Sequence, residues 1–125
     1  MLTSALFCLA LNVFHEARGE PVHGQYAVAY VTMNRANWNK NNVCEEVFKP
    51  YQFSWTRSFN IPPKSKEWDN SVHVAKAVLK SKPHHSNVGK ANYYHHYKIR
   101  PKWSKHFKLV KIRGQHVFYE GKYGN

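Results

Sequence analysis

The sequence of 125 residues predicts one α+β domain, mainly helical, with a small β-hairpin or sheet region at its C-terminal end. Three observations support this class. Apolar residues recur at helical spacing up to about residue 80, and short aromatic runs follow them. No repeat or linker composition divides residues 1–125. At this length roughly two-thirds of the unfolded surface can be buried. We therefore expect a single domain with a cleft between its helices and its sheet.

The first helix is predicted over residues 3–17. Leu6, Leu9 and Val13 form one apolar stripe at helical spacing. Gly19 and then Pro21 provide the expected stop signal. This apolar start has no basic segment and no cleavage-type boundary, so we expect it to be the first helix of the mature domain rather than a signal peptide.

Three further helices are predicted. Residues 23–37 are rich in alanine and valine, which allow close packing and indicate a buried central helix. A short helix should follow Asn42, with that residue as its cap and Glu45 in the capping-box position. Residues 50–65 should be irregular, because two adjacent prolines enforce extended backbone. An amphipathic helix is predicted over 66–80.

The C-terminal part changes from helical to strand character. Residues 93–97 read as a short aromatic strand, and residues 108–119 as a hairpin that turns at Arg113-Gly114. Because adjacent residues of a strand face opposite ways, only one of Tyr93 and Tyr94 should line the cleft.

The composition excludes some classes of protein and favours a polyanionic partner. Lys and Arg number 19 against 7 Asp and Glu, a net charge of +12, which attracts nucleic acid, anionic lipid or a bacterial envelope. No apolar run is long enough to span a membrane. Two cysteines cannot form a disulfide framework, and Cys8 lies in an apolar helical run. We expect a buried, reduced thiol there, in agreement with synthesis in the cytosol.

Glu16 is the strongest candidate for chemistry. It stands at the C-terminal end of an apolar helix, where the negative end of the helix dipole and apolar neighbours disfavour an ionised carboxylate. A raised pKa is what a general acid requires near neutral pH. The structural alternative is a carboxylate paired with an arginine, and these residues alone leave both interpretations open.

From this segment onward the chain resembles a known family. The opening motif, Glu16-Ala17-Arg18-Gly19-Glu20, resembles that of the spore cortex-lytic type of bacterial cell wall hydrolase. Matches to the same family continue in order along nearly the whole chain: Gly24-Gln25, Asn34-Arg35, Val47-Phe48, Gln52-Phe53-Ser54, Tyr93-Tyr94, Pro101 with Trp103, and His116 to Tyr119. The family also occurs as phage lysins (endolysins), and a strongly basic single domain is most similar to those.

The resemblance implies a lysozyme-like domain that cuts the MurNAc-GlcNAc bond of peptidoglycan as a lytic transglycosylase, with Glu16 as the catalytic residue and no cofactor. A transglycosylase can use one carboxyl group, because the sugar's own 6-hydroxyl closes an anhydro ring, whereas an ordinary glycosidase needs two. Hydrolysis of the same bond by a muramidase is one alternative. An older family label makes N-acetylmuramoyl-L-alanine amidase another.

The remaining site residues are predicted as follows. Gln52, Phe53, Tyr93, Tyr94 and His95 are candidate substrate contacts, because sugars stack on aromatic faces and bond to amide and phenol groups. The alternative places Phe53 and one tyrosine in the core. Where the family has His before the paired tyrosines and Asn-Pro after them, this chain has Asn92 before and His95-His96 after, which leaves the roles of Asn92 and His95 open.

Glu20 is predicted to be structural. Gly19 and Pro21 break the helical register that would align Glu20 with Glu16, so we expect Glu20 to fix the turn by pairing with Arg18 or Arg35. A role as a second catalytic carboxylate is the alternative.

The composition also invites two other classes of function. Nine histidines invite a metal site, but Gly19 stands where the second His of a His-Glu-x-x-His motif belongs, so no metal is expected. Basic and aromatic residues alternate from 93 to 108, as in single-strand binders, yet no recognition helix or zinc-finger pattern supports a specific nucleic-acid partner.

The expected partners are glycan strands and, through the basic clusters at 76–90 and 98–111, the anionic envelope. We expect a monomer made in the host cytoplasm that reaches the cell wall after release by a separate membrane-opening partner.

Overall fold

A computed structural model describes residues 4–49, 53–58 and 60–123. Its helices and strands are α1 (Ser4–Ala17), α2 (Val22–Arg35), α3 (Val43–Val47), α4 (Lys66–Leu79), β1 (Tyr93–His96), β2 (Lys108–Arg113) and β3 (His116–Glu120). Short 3-10 turns occur at Lys40–Asn42, Ser54–Arg57, Pro83–His85 and Lys102–His106. Helices first and strands last confirm the α+β class. In the part of the chain that the structure describes, no helix is long and apolar enough to cross a membrane.

Helix α1 lies at the centre of the core. Every residue from Cys8 to Phe14 is buried, so the buried surface is wider than the single stripe predicted from the sequence. The reason is that α2, α3 and α4 all pack against α1. Helix α2 is also largely buried, as its alanine and valine content predicted.

The two cysteines correct one expectation from the sequence. Cys8 of α1 and Cys44 of α3 form a disulfide, with their Cα atoms 5.2 Å apart. The prediction of a reduced thiol was wrong because α3 packs on α1 and places Cys44, 36 residues further along the chain, beside Cys8.

The predicted cap of the third helix is also wrong. The side chain of Asn42 makes no capping hydrogen bond to α3. The chain begins to coil earlier, in the 3-10 turn Lys40–Asn42, and Asn39 caps that turn by accepting a hydrogen bond from the backbone N–H of Asn41. The neighbouring α4 begins at the cap residue Ser65, whose hydroxyl accepts from the N–H of Trp68.

The three antiparallel strands are ordered β1-β3-β2. Tyr94 is paired with Phe118 and His96 with His116, and these residues form the inner face of the sheet, where Phe118 is fully buried in the helical core. The outer face consists of the alternate residues Tyr93, His95, Val117 and Tyr119. The hairpin turns at residues 114–115, one residue later than predicted, because Gly114 adopts the left-handed conformation (φ 58°) that glycine tolerates.

Candidate active site

Glu16 lies in the last turn of α1, facing the inner face of the sheet. Gly19, with φ 83°, reverses the chain directly after the helix and leads it into α2. The Tyr94 hydroxyl of β1 donates a hydrogen bond of 2.7 Å to Glu16 Oε1. The site is therefore formed where the helical part meets the sheet, as the order of the elements predicted.

The Glu16 carboxyl is a weaker acid than usual. Burial raises its pKa above the ordinary value, and this is the largest effect. The hydrogen bond from Tyr94, the nearby Trp55 indole and the charges of His116 and Arg35 act in the opposite direction, but only partly offset it. The predicted direction of the shift is confirmed. A raised pKa favours the protonated form, which is the form that a general acid requires.

Tyr94 lies in a buried, polar environment. Burial and the neighbouring Glu16 carboxylate raise the pKa of Tyr94 well above its usual range, so the phenol stays protonated and acts as a donor. Asn12, fully buried and one helical turn before Glu16, lies close to Tyr94 and accepts a 2.7 Å hydrogen bond from the Thr32 hydroxyl of α2. The hydrogen bond to Glu16 therefore sets the direction of the phenol.

A row of aromatic rings lies next to Glu16. Phe53 stacks on Tyr94 and on Trp55, with centroid distances of 6.5 and 6.1 Å. Trp55 stacks in turn on His15 at 4.5 Å. His15, Trp55 and Arg18 border an open cavity of about 560 Å³. Phe53 is buried and supports the row, whereas Trp55 and His15 expose ring surface on which a sugar can stack.

Both carboxylate oxygens of Glu20 contact the C-terminal hairpin. Its Oε2 lies 2.9 Å from His116 Nδ1, and its Oε1 accepts a 2.8 Å hydrogen bond from the backbone N–H of Gln115. Burial alone would raise the pKa of Glu20, but the hydrogen bonds from His116 and Gln115, with the charges of His116 and His96, hold it below its ordinary value. Glycine is favoured at 114 because its φ of 58° strains other residues, and a side chain there would displace the Glu20 carboxylate.

These contacts agree with a structural role for Glu20 but correct its predicted partner. Arg18 lies over the Phe14 ring, 4.5 Å from its centroid, and Arg35 Nε donates to the backbone carbonyl of Asn92 at 2.7 Å. His116 takes the place predicted for these arginines, because the hairpin folds back onto the turn between α1 and α2.

The structure brings only some of the predicted contact residues to Glu16. Tyr94 hydrogen-bonds to it, and Phe53 stacks on Tyr94. Tyr93 faces the outer side of the sheet, where its hydroxyl donates to the backbone carbonyl of Lys122, and His95 Nε2 bonds there to the Tyr119 hydroxyl at 2.9 Å. Of the two tyrosines, Tyr94 is the one that points to Glu16, and its role as a substrate contact stays a prediction. Gln52 lies outside the described residues.

The structure shows a structural role for Asn92, whose role the sequence left open: its side chain bonds to the backbone of Gly121. Its side-chain amide donates to the Gly121 carbonyl at 2.8 Å and accepts from the Gly121 N–H at 3.0 Å. These two hydrogen bonds connect the residue before β1 with the residue after β3. Asn92 therefore acts on the strand that carries Tyr94, at a distance from the Glu16 carboxyl.

Three residues near Glu16 were missed from the sequence. The sequence could have indicated Asn12. It is a polar residue within an apolar helix, one turn before Glu16, and a buried polar group requires a hydrogen-bond partner. His116 shares a strand face with Phe118, but only the register of the sheet places it near Glu16. Trp55 lies in an irregular segment, where no periodicity indicates direction.

No group of three or more His, Cys, Asp or Glu side chains in the described ranges is placed to hold a metal ion.

Comparisons with known proteins bear on the fold and the family. The search of proteins with curated function found no match. The catalytic domain of the germination-specific lytic transglycosylase SleB from Bacillus anthracis is 25% identical, with a TM-score of 0.77 over 96% of this chain and 97% of that chain. The catalytic domain of the Bacillus cereus SleB protein is also 25% identical, with a TM-score of 0.75 over 96% and 93% of the two chains.

The family model described as Cell Wall Hydrolase matches residues 19–119, beginning three residues after Glu16. The match covers most of the chain, including Glu20, Tyr94 and His116. The resemblance drawn from the sequence motifs is thus confirmed at the level of the family. The chain belongs to the cell wall hydrolase family.

Proposed function

We propose that this cell wall hydrolase cleaves the MurNAc-GlcNAc bond of peptidoglycan as a lytic transglycosylase, with Glu16 as its one catalytic carboxyl group. The family supports peptidoglycan degradation, and the similar Bacillus anthracis domain is described as a lytic transglycosylase. The observation that carries the proposal is the largely buried Glu16 carboxyl, with its raised pKa and its hydrogen bond from Tyr94, close to the Trp55 ring that borders the open cavity.

In this mechanism the protonated Glu16 gives its proton to the glycosidic oxygen as the bond to the anomeric carbon breaks. The ionised Glu16 then takes the proton of the same sugar's 6-hydroxyl, whose oxygen attacks the anomeric carbon and closes a 1,6-anhydro ring. Tyr94 donates a hydrogen bond to Glu16 and so favours the carboxylate that exists between the two steps. General acid and base catalysis of this kind contributes about 10²–10⁴-fold to the rate.

The position of Glu20 favours the one-carboxylate mechanism. A hydrolase would need a second carboxylate to activate water or to act as the nucleophile. Both oxygens of Glu20 are engaged by the hairpin, through His116 and Gln115. Of the charges that act most strongly on Glu16, those of His116 and Arg35, neither belongs to a carboxylate.

Mass spectrometry of the soluble products from purified peptidoglycan tests the proposal. Wild type should release fragments with anhydro ends, and Glu16→Gln should lose at least about 10²-fold of this activity. Glu45→Gln, which changes an exposed carboxyl, is the matched control and should keep it. Reducing ends would indicate hydrolysis, and intact glycan with free peptides would indicate an amidase. Either product, or an active Glu16→Gln, contradicts the proposal.

We also propose that the chain acts in the manner of a phage endolysin, made in the cytoplasm of the host and released to the wall through a separate membrane-opening partner. The support is its resemblance to basic single-domain phage lysins. In a reducing cytoplasm the disulfide between Cys8 and Cys44 would close only after release. Cytoplasmic expression should lyse a bacterium only when a membrane-opening protein is co-expressed, and lysis without one would contradict this arrangement.

A further inference from the structure

Exposed apolar side chains are concentrated on one part of the surface. Of the six large hydrophobic side chains that are exposed in the described ranges, four lie between residues 97 and 112. They are Tyr97, Ile99, Leu109 and Ile112, with exposed fractions of 54–61%. We call these four residues, together with the Lys and Arg residues between them, the basic apolar surface.

The strand register places this surface on the outer face of the sheet. Leu109 is paired with Tyr119 and Ile112 with Val117, so both leave β2 on the side opposite Tyr94. The backbone N–H of Tyr97 donates to the Gln115 carbonyl at 2.9 Å, which keeps this loop beside the hairpin turn. The 3-10 turn Lys102–His106 covers the neighbouring part of the outer face through Trp103 but leaves Leu109 and Ile112 open to solvent.

The same stretch is strongly basic. Between residues 97 and 112 the chain has six Lys and Arg residues and no Asp or Glu. All six are exposed: Lys98, Arg100, Lys102, Lys105, Lys108 and Lys111. Exposed charge and exposed apolar area therefore coincide, and an explanation of the surface must account for both.

Three simpler explanations account for only one of these properties. Lysines on an edge strand such as β2 discourage strand pairing between molecules, but this does not explain the exposed Leu109 and Ile112 beside them. A water-soluble polyanion satisfies the charges and offers no apolar phase. A second copy of the chain covers the apolar side chains but opposes positive charge with positive charge.

We propose that the basic apolar surface binds peripherally to membranes that contain anionic phospholipid. Lipid phosphates match the lysines, the bilayer interface accepts the leucine and isoleucine side chains, and tyrosine favours the headgroup region. Because this surface lies on the sheet face opposite Tyr94, membrane binding leaves the Glu16 site free to reach a glycan strand. The proposal is independent of which bond the enzyme cleaves.

Flotation of the purified chain with lipid vesicles tests this proposal. Vesicles of phosphatidylcholine and phosphatidylglycerol should bind the wild type, and vesicles of phosphatidylcholine alone should not. The double variant Leu109→Ser/Ile112→Ser retains every charge and should bind about tenfold more weakly or worse. Val22→Ser removes an apolar side chain that is 58% exposed elsewhere, and it should bind like the wild type.

The other results overturn the proposal. If the double variant binds as tightly as the wild type, charge alone holds the protein to any polyanion. Equal weakening in Val22→Ser would mean that the effect is not specific to this surface. Concentration-dependent dimers in sedimentation without lipid, lost in the double variant, would assign the surface to a second copy. An unchanged melting temperature and unchanged cleavage of soluble peptidoglycan fragments show that the double variant is folded.

Discussion

At the scale of single residues, opposing effects on one carboxyl group set the chemistry of the site. Burial of Glu16 favours its protonated form, while the hydrogen bond that Tyr94 donates and the charges of His116 and Arg35 favour the ionised form. The two-step mechanism requires both forms in succession. Burial raises the pKa of Glu16, and the hydrogen bond from Tyr94 limits that rise. Such a balance suits a group that acts first as an acid and then as a base.

Tyr94→Phe should separate these effects. Loss of the phenolic donor removes a hydrogen bond that favours the ionised Glu16, so the pKa of Glu16 should rise further. Because Glu16 must be protonated to act as the acid, activity is lost as the pH rises through its pKa. The alkaline limb of the kcat/KM profile should therefore move to higher pH.

The neighbouring tyrosine provides the control. Tyr93→Phe removes a hydroxyl that donates to the Lys122 carbonyl on the outer face, and the alkaline limb should stay where it is in the wild type. If the limb is unchanged or moves to lower pH in Tyr94→Phe, then Tyr94 does not tune the acid.

At the scale of elements, α1 is the framework of the site. Cys8, Asn12 and Glu16 follow one another at intervals of four residues and therefore lie along one side of the helix. Cys8 is bonded to α3, Asn12 hydrogen-bonds to Thr32 of α2, and Glu16 accepts from Tyr94 of β1. One helical face thus fixes the catalytic carboxyl relative to three other elements.

The disulfide should make a measurable contribution to this framework. Its closure of a loop with a separation of 36 residues restricts the unfolded chain, by about 3–4 kcal/mol in the chain-entropy model. Calorimetry should show that a reducing agent lowers the melting temperature of the wild type by roughly 10 °C. The variant Cys8→Ser/Cys44→Ser should melt lower and show no response to the reducing agent. A wild type that melts equally well in both conditions would mean that helix packing alone fixes α3.

At the scale of the whole molecule, the dominant property is positive charge. The net charge of +12 is spread over both the helical region and the hairpin region. Such a field raises the rate of encounter with an anionic cell envelope and is screened by salt, since the Debye length falls from about 10 Å at 0.1 M to about 3 Å at 1 M.

Lysis of intact cell walls should accordingly fall steeply as salt is raised over this range. Cleavage of a short peptidoglycan oligomer, which carries only a few carboxylates, should change much less, because charge steers its encounter with the enzyme only weakly. Turbidity assays on walls, with product analysis on the oligomer, make the comparison. Full lysis of walls in high salt would show that the charge serves solubility only.

The sequence by itself determined the element order, the family motifs and the placement of Glu16 at the end of an apolar helix. These features are local, because helical periodicity, the Gly19 turn and strand alternation act within a few residues. Alternation even predicted that a single tyrosine of the Tyr93-Tyr94 pair would face the cleft.

Only the tertiary structure decided which distant residues meet. Cys44 reaches Cys8 because α3 packs on α1, and His116 displaces the arginines expected beside Glu20 because the hairpin folds back onto the first turn. The identity of the tyrosine, Tyr94, follows from the register of β1 against β3. Long-range pairings of this kind depend on how whole elements pack, and no pattern of neighbouring residues encodes them.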